Sequence, residues 1–255
     1  TLETLGVGNV LINNKGTLVI ESAELFDGGI FVTNVGSLYA LDVKTMGVSE
    51  RNSIVLRALR TNGEVDVRVG NLTTQGRGDV ILDVQGTMMQ LDGTLIEADL
   101  LDITSVGSMW LNTNVNRMAL DIQRTGDVNV TQGERYLRVE NSTIANGSFD
   151  VVAEGNVSLR DIELGSNRGD RDISIDAAGD ITVARAVAGI HLEDIAGTEG
   201  VAINAADATD EDALRTIDLT GVEVVEGGEY RITIGNDGAT VAGSAVIRYT
   251  AVADD

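Results

Sequence analysis

The sequence predicts an all-β fold, a right-handed parallel β-helix: a solenoid of short strands joined at Gly, Asn and Asp corners. Three observations predict it. A short unit recurs, a glycine followed by alternating apolar and variable residues and then a polar turn. Proline is absent, 0 in 255 residues, as expected where every strand pairs on both sides and a residue without an N–H would interrupt the ladder. The hydrophobic share is 43% and the aromatic share only 3%, so the interior must be built from Val, Ile, Leu and Ala.

Taken in order, the units start at Gly16, Gly36, Gly63, Gly78, Gly107, Gly126, Gly147, Gly155, Asp172, Gly179, Gly200 and Gly228. Each heads a period-2 run of about four to six residues, the signature of a half-buried strand. Glycine at the head supplies the positive φ that a sharp corner needs, and neighbouring Asn and Asp tolerate the same region. One such coil cannot bury its inward face, whereas stacked coils bury a continuous aliphatic column. Roughly 20 to 25 residues per coil gives about ten coils at the inter-strand spacing of about 4.8 Å. The shaft is expected over 1–220, with 221–255 a terminal coil, cap or small closing sheet. Thr209 followed by Asp212 reads as one helical turn in a loop between coils. The Ile/Val alternation from Gly228 to Val252 also admits a tandem β-sandwich stalk.

Composition excludes several functions. With Cys at 0 and a single His, there is no disulfide framework, thiolate metal site, Cys nucleophile or multi-His metal centre. Lys+Arg 18 against Asp+Glu 40 gives a net charge of −22, which argues against nucleic acid and anionic membranes as partners. No apolar run reaches the roughly 20 residues of a membrane span, so no membrane insertion is expected. Lysine occurs only as Lys15 and Lys44; such an acid-rich, lysine-poor surface suits saline surroundings.

The alternation also sorts inward from outward positions. In the second half the outward residues are polar: Asn129, Asp150, Ser158, Ser174 and Thr182. In the first half they are apolar: Val19, Tyr39, Val55, Ile81 and Trp110. Strands apolar on both faces read as covered on both sides, by local loops, by the C-terminal segment or by a neighbouring chain. These five residues are the candidate interaction stripe, and Tyr39 and Trp110 are also candidate platforms for sugar rings.

No catalytic residue is expected. His191 alternates with apolar neighbours and reads as a surface residue beside Glu193 or Asp194. A carbohydrate-active β-helix enzyme would need clustered acids, and Asp83, Asp99 and Asp102, or Asp161, Asp170 and Asp172 with Arg160, Arg168 and Arg171, are the sets to inspect. No cofactor is expected. The densest acidic loop, Asp207, Asp210, Glu211 and Asp212, reads first as solvated and second as a calcium site, since hard oxygen ligands suit Ca²⁺. Asn71, Asn129, Asn141, Asn146 and Asn156 head Asn-x-Ser/Thr triplets.

Residues 126–190 carry a recognisable pattern. GSFDVVAEGNVSLRDIELGSNRGDRDISIDAAGDITVARAVAG, with Gly147, Gly155, Gly179, Asp180 and Gly189 at its repeat positions, resembles the repeats of filamentous haemagglutinin-type exoproteins. The resemblance implies a secreted right-handed β-helix acting as an adhesive shaft. The secretion domain of that family carries Asn-Pro motifs, so a chain without proline matches shaft and not secretion head. The expectation is a structural or adhesive shaft at a cell surface or outside the cell. It would self-associate laterally or end to end into a filament, or meet a surface polysaccharide. The alternative is a polysaccharide lyase or glycosidase on the same fold.

Overall fold

The structure, a computed structural model, describes the backbone of residues 2–60, 65–165, 172–184, 186–187, 189–194, 202–203, 229–234 and 245–250, and side chains over 7–60, 65–165 and 173–184. No helix occurs among the described residues. The chain winds into a parallel β-solenoid of about eight turns.

Each turn lays strands on three faces. The first face stacks Val10–Lys15, Ile30–Val35, Ile54–Leu59 and Val80–Val84, then the later parts of Ile96–Ser105 and Met109–Thr125, then Ser142–Asn146 and Ile162–Leu164. The second stacks Leu18–Ile20, Leu38–Thr45, Asp66–Thr74 and Thr87–Gln90. It continues through the start of Met109–Thr125, then Val128–Gln132, Phe149–Ala153, Asp172–Ala177 and Gly189–Asp194. The third begins with Leu2–Val7 and Ala23–Asp27 and ends with Leu137–Val139, Val157–Leu159, Ile181–Val183 and Ala202–Ile203. All of these pairings are parallel, which a sandwich stalk would not give.

Register turns the sequence alternation into columns. Leu18, Leu38, Val67 and Met88 stand one above another, as do Val128, Phe149 and Ile173. Apart from Leu18 in the first coil, they are almost wholly buried. Burying each such side chain contributes about 1.5–3 kcal/mol. A slip of one residue would turn a whole column out to water, so the alternation fixes the register.

Coil length varies from rung to rung, because some coils carry more than a bare strand-corner unit. Between Leu38–Thr45 and Ile54–Leu59 the chain makes an excursion through 46–53. Asn52 closes it from inside: its side chain accepts from Gly28 N at 2.6 Å and donates to Ser49 O and Oγ at 3.1 and 2.9 Å.

The corner glycines do two different jobs. Gly107 has φ +86°, as a tight corner requires. Gly126 and Gly147 do not need positive φ. A Cβ on Gly126 would overlap the backbone of Gly107, and one on Gly147 would overlap that of Gly126. These glycines are there because successive coils touch at this corner.

The interior is not wholly aliphatic. Asn34 is fully buried; it accepts from Asn14 Nδ2 at 2.8 Å and donates to Gly16 O and Ser37 O at 2.9 and 2.7 Å. Gln90 and Gln132 lie inside as well, at the ends of Thr87–Gln90 and Val128–Gln132.

Within the expected closing segment, Glu229–Ile234 and Ala245–Thr250 pair antiparallel in a separate two-stranded sheet. The remainder of 221–255, and the 207–212 loop with its expected helical turn, lie outside the described residues.

Candidate ligand-binding groove on the outer face

Outward residues inherit the register of the rungs, so the five predicted stripe residues can be placed. They do not form one stripe. Val55 and Ile81 pair on the first face, in a column that runs from Leu11 and Phe31 to Asp102. Val19 and Tyr39 pair on the second face, followed in the same column by Arg68 and Met89. Trp110 stands on the second face too, in register with Asn129, Asp150 and Ser174. Period-2 alternation says which residues point outward and is silent on which of three faces they point from. That is why the sequence merged two columns.

Burial differs as sharply. Val55 is only 9% exposed, whereas Val19 is 51% and Trp110 69% exposed. On the second face Arg68 interrupts the apolar run. Its guanidinium lies 5.4 Å from the centroid of the Tyr39 ring and its Nε is 3.2 Å from Asp66. Tyr39 therefore already has a partner.

Trp110 opens onto a groove of about 370 Å³. Its floor is two outward columns, Trp110–Asn129–Asp150 and Asn112–Thr131–Val152, on three successive rungs. Its wall is the turn Leu91–Thr94. That turn is tied down: Thr94 Oγ1 donates to Leu91 O at 2.6 Å, Asn112 Nδ2 to Thr94 O at 2.8 Å, and Gln90 Nε2 to Thr94 O at 3.0 Å. Gln90 also accepts from Asn112 N at 2.9 Å and donates to Asn112 O at 3.1 Å. Sequence reading found Trp110 and missed the turn, because the turn reaches the groove only through stacking. Gln90 at an inward slot of T-M-M-Q was the available signal.

The acidic sets fall in separate places. Asp99 turns to Arg117, whose Nη2 is 2.8 Å from it and 3.9 Å from Asp79, while its Nη1 is 3.7 Å from Glu140. Burial pushes the Asp99 carboxyl up, but hydrogen bonds from Asn116 and Arg117 outweigh it and hold it below its ordinary value. Burial wins at Asp79, whose carboxyl is pushed up despite Arg117. The Arg117 guanidinium, bonded to Asp99, is held even more firmly charged. Asp102 instead faces Asp121 and Asp83, and burial together with those two charges raises it. So Asp83 and Asp102 share a face, and Asp99 belongs to an ion-pair network around a corner.

Among the described residues no group of three or more His, Cys, Asp or Glu is arranged to hold a metal. Asp207, Asp210, Glu211 and Asp212 lie outside them, as do Arg168, Asp170 and Arg171. His191 is in backbone register with Ser174. Ser158, expected outside, is only 1% exposed, in register between Arg138 and Thr182. Asn71 accepts from Leu95 N, Asn156 from Asp180 N, and Asn146 donates to Thr125 Oγ1. Asn141 is exposed with φ +50°.

No protein-family model matches the chain, and neither a curated protein nor a solved structure matches it. The solenoid and its groove therefore carry the functional reading.

Proposed function

We propose that the chain is a structural and adhesive shaft of a secreted or cell-surface protein. The observation that carries this reading is the unbroken in-register stack of the second face from Val128 through Phe149 and Ile173 to Ile190. A ladder paired above and below at every rung, filled by an aliphatic column, resists bending, and it extends simply by adding rungs. The acidic surface keeps such a rod hydrated and apart from other acidic surfaces. The resemblance of 126–190 to exoprotein repeats supports the same reading. Solenoid ends are strand edges able to accept another rung, so end-to-end assembly into a filament belongs to the proposal.

Small-angle scattering and negative-stain microscopy of the purified chain test it. Rods or fibres with a cross-section of one solenoid are expected; compact globules at all concentrations would overturn it. A carbohydrate-active enzyme is the second reading, favoured by Asp150 standing two rungs from exposed Trp110 in an open groove. Release of reducing ends or unsaturated products from a polysaccharide panel would put it first.

A further inference from the structure

We infer that the Trp110 groove binds a neutral polysaccharide chain. This names a ligand for the adhesive half of the shaft reading and rests on that reading.

The argument starts from what the groove displays. Trp110 presents an indole that is 69% exposed, a flat apolar plate with a cost in water unless something covers it. Beside it the rungs set hydrogen-bonding groups at fixed intervals, about 4.8 Å apart between strands and about 6.6 Å between alternate residues along a strand. The Asn129 amide and the Thr131 hydroxyl, both on this floor, make no side-chain hydrogen bond among the described residues. A glycan has the complementary surface. Its rings offer apolar C–H faces to an aromatic plate, and their hydroxyl edges both donate and accept, as amide and hydroxyl groups require.

Charge narrows the class. Among the described residues that line the groove, the charged ones are Asp92 and Asp150, and none is Lys or Arg. Uronate or sulfated glycans would bring like charge into an acidic site, so a neutral chain fits. A second copy of this protein fits poorly for the same reason, since each copy carries −22. The hydrogen-bonded turn 91–94 is already held against the rung floor, so the protein side of the groove needs little further ordering to bind. The volume, about 370 Å³, lies within the usual range for small-ligand clefts and suits a few sugar rings of a longer chain.

Trp110 is the single tryptophan of the sequence, so its fluorescence reads the groove directly. The wild-type chain is titrated with soluble neutral glycans (a mixed-linkage glucan, a galactomannan, a xyloglucan) and with alginate and heparin. A saturable change in Trp110 emission with at least one neutral glycan, and none with the anionic pair, is expected. By calorimetry with that glycan, Trp110→Ala weakens binding by roughly tenfold or more, and Trp110→Phe recovers part of it. Asn129→Ala, which keeps the reporter, weakens it several-fold. Absence of a saturable signal with all neutral glycans, a preference for the anionic pair, or unchanged affinity in Trp110→Ala overturns the inference. So does an emission change that follows protein concentration alone, which would mark a contact between copies. Scattering on the same samples separates the two readings. Rods without a saturable signal overturn the groove and leave the shaft; a saturable signal from compact globules supports the groove and overturns the shaft.

Discussion

Gln132 sits inside the solenoid with its side-chain amide hydrogen-bonded to both backbone groups of Val115. Its Nε2 donates to Val115 O at 2.9 Å and its Oε1 accepts from Val115 N at 3.3 Å. The reason lies in the rungs. Met109–Thr125 is one continuous strand of 17 residues, whereas the coil above it is broken between Val128–Gln132 and Leu137–Val139. The ladder pairs Thr113 with Gln132 and resumes at Arg117 with Arg138. Val115 falls in the gap, and a primary amide, which has the donor and acceptor of a peptide group, stands in for the missing backbone. Gln90 does the same for Asn112.

Gln132→Leu is therefore expected to destabilise the fold although it adds apolar bulk to an apolar interior. It strands a buried N–H and a buried C=O, at about 1–3 kcal/mol each. A lowered urea midpoint checks this, and a midpoint equal to wild type would show that the amide is dispensable.

Gly126→Ala tests the glycine corner. The added methyl would overlap the Gly107 backbone, and only separation of the coils could relieve it. Overpacking of this kind costs roughly 1–3 kcal/mol. The loss should appear in thermal unfolding, and Gly93→Ala is the contrast. At Gly93 the new methyl meets nothing within 4 Å, so only its positive φ of +72° is penalised.

Asn141 holds φ +50° at an exposed corner. Asn141→Gly should leave stability unchanged or slightly improved, and Asn141→Ala should cost about 1 kcal/mol. Equal unfolding midpoints for the two variants would contradict the assignment of this residue's role to backbone conformation.

Asp102 gives a pH dependence of known sign. Its carboxyl is raised by burial and by Asp121 and Asp83, so its ionised form destabilises the folded chain. That cost is present in full above its folded pKa and disappears as the pH falls through that value toward the ordinary carboxyl range near about 3.9. Asp102→Asn should raise the urea midpoint at about pH 7, with the advantage over wild type shrinking toward about pH 4. An advantage that stays constant over that range would mean that it does not come from the charge. Asp99 has the opposite sign: its depressed carboxyl stabilises the fold at neutral pH, and that contribution is lost as the pH falls through its folded value.

The parallel solenoid was legible in the sequence because its cause is local. The alternation in Val128–Gln132 and Phe149–Ala153 states which residues go inside, and the missing proline agrees with a ladder paired on both sides. The candidate site was half legible. Trp110 stood out as an aromatic at an outward position, but the stripe drawn through it joined Val55 and Ile81 to a face they do not share. Gly126 was legible as a corner glycine and misread in its reason, since the constraint comes from the coil beneath and not from its own φ.

Sequence by itself determined the period-2 strands, the aliphatic interior and the acidic exterior, because each depends only on a residue and its near neighbours along the chain. Tertiary structure decided what depends on which rung lies above which. It placed Gln132 opposite Val115, turned Asp99 toward Arg117 and left Asp102 with Asp83 and Asp121. It also set Asn129 and Asp150 over Trp110 behind the 91–94 turn. Coil length varies with every loop, so the stacking register is fixed only when the whole column of inward side chains is buried at once.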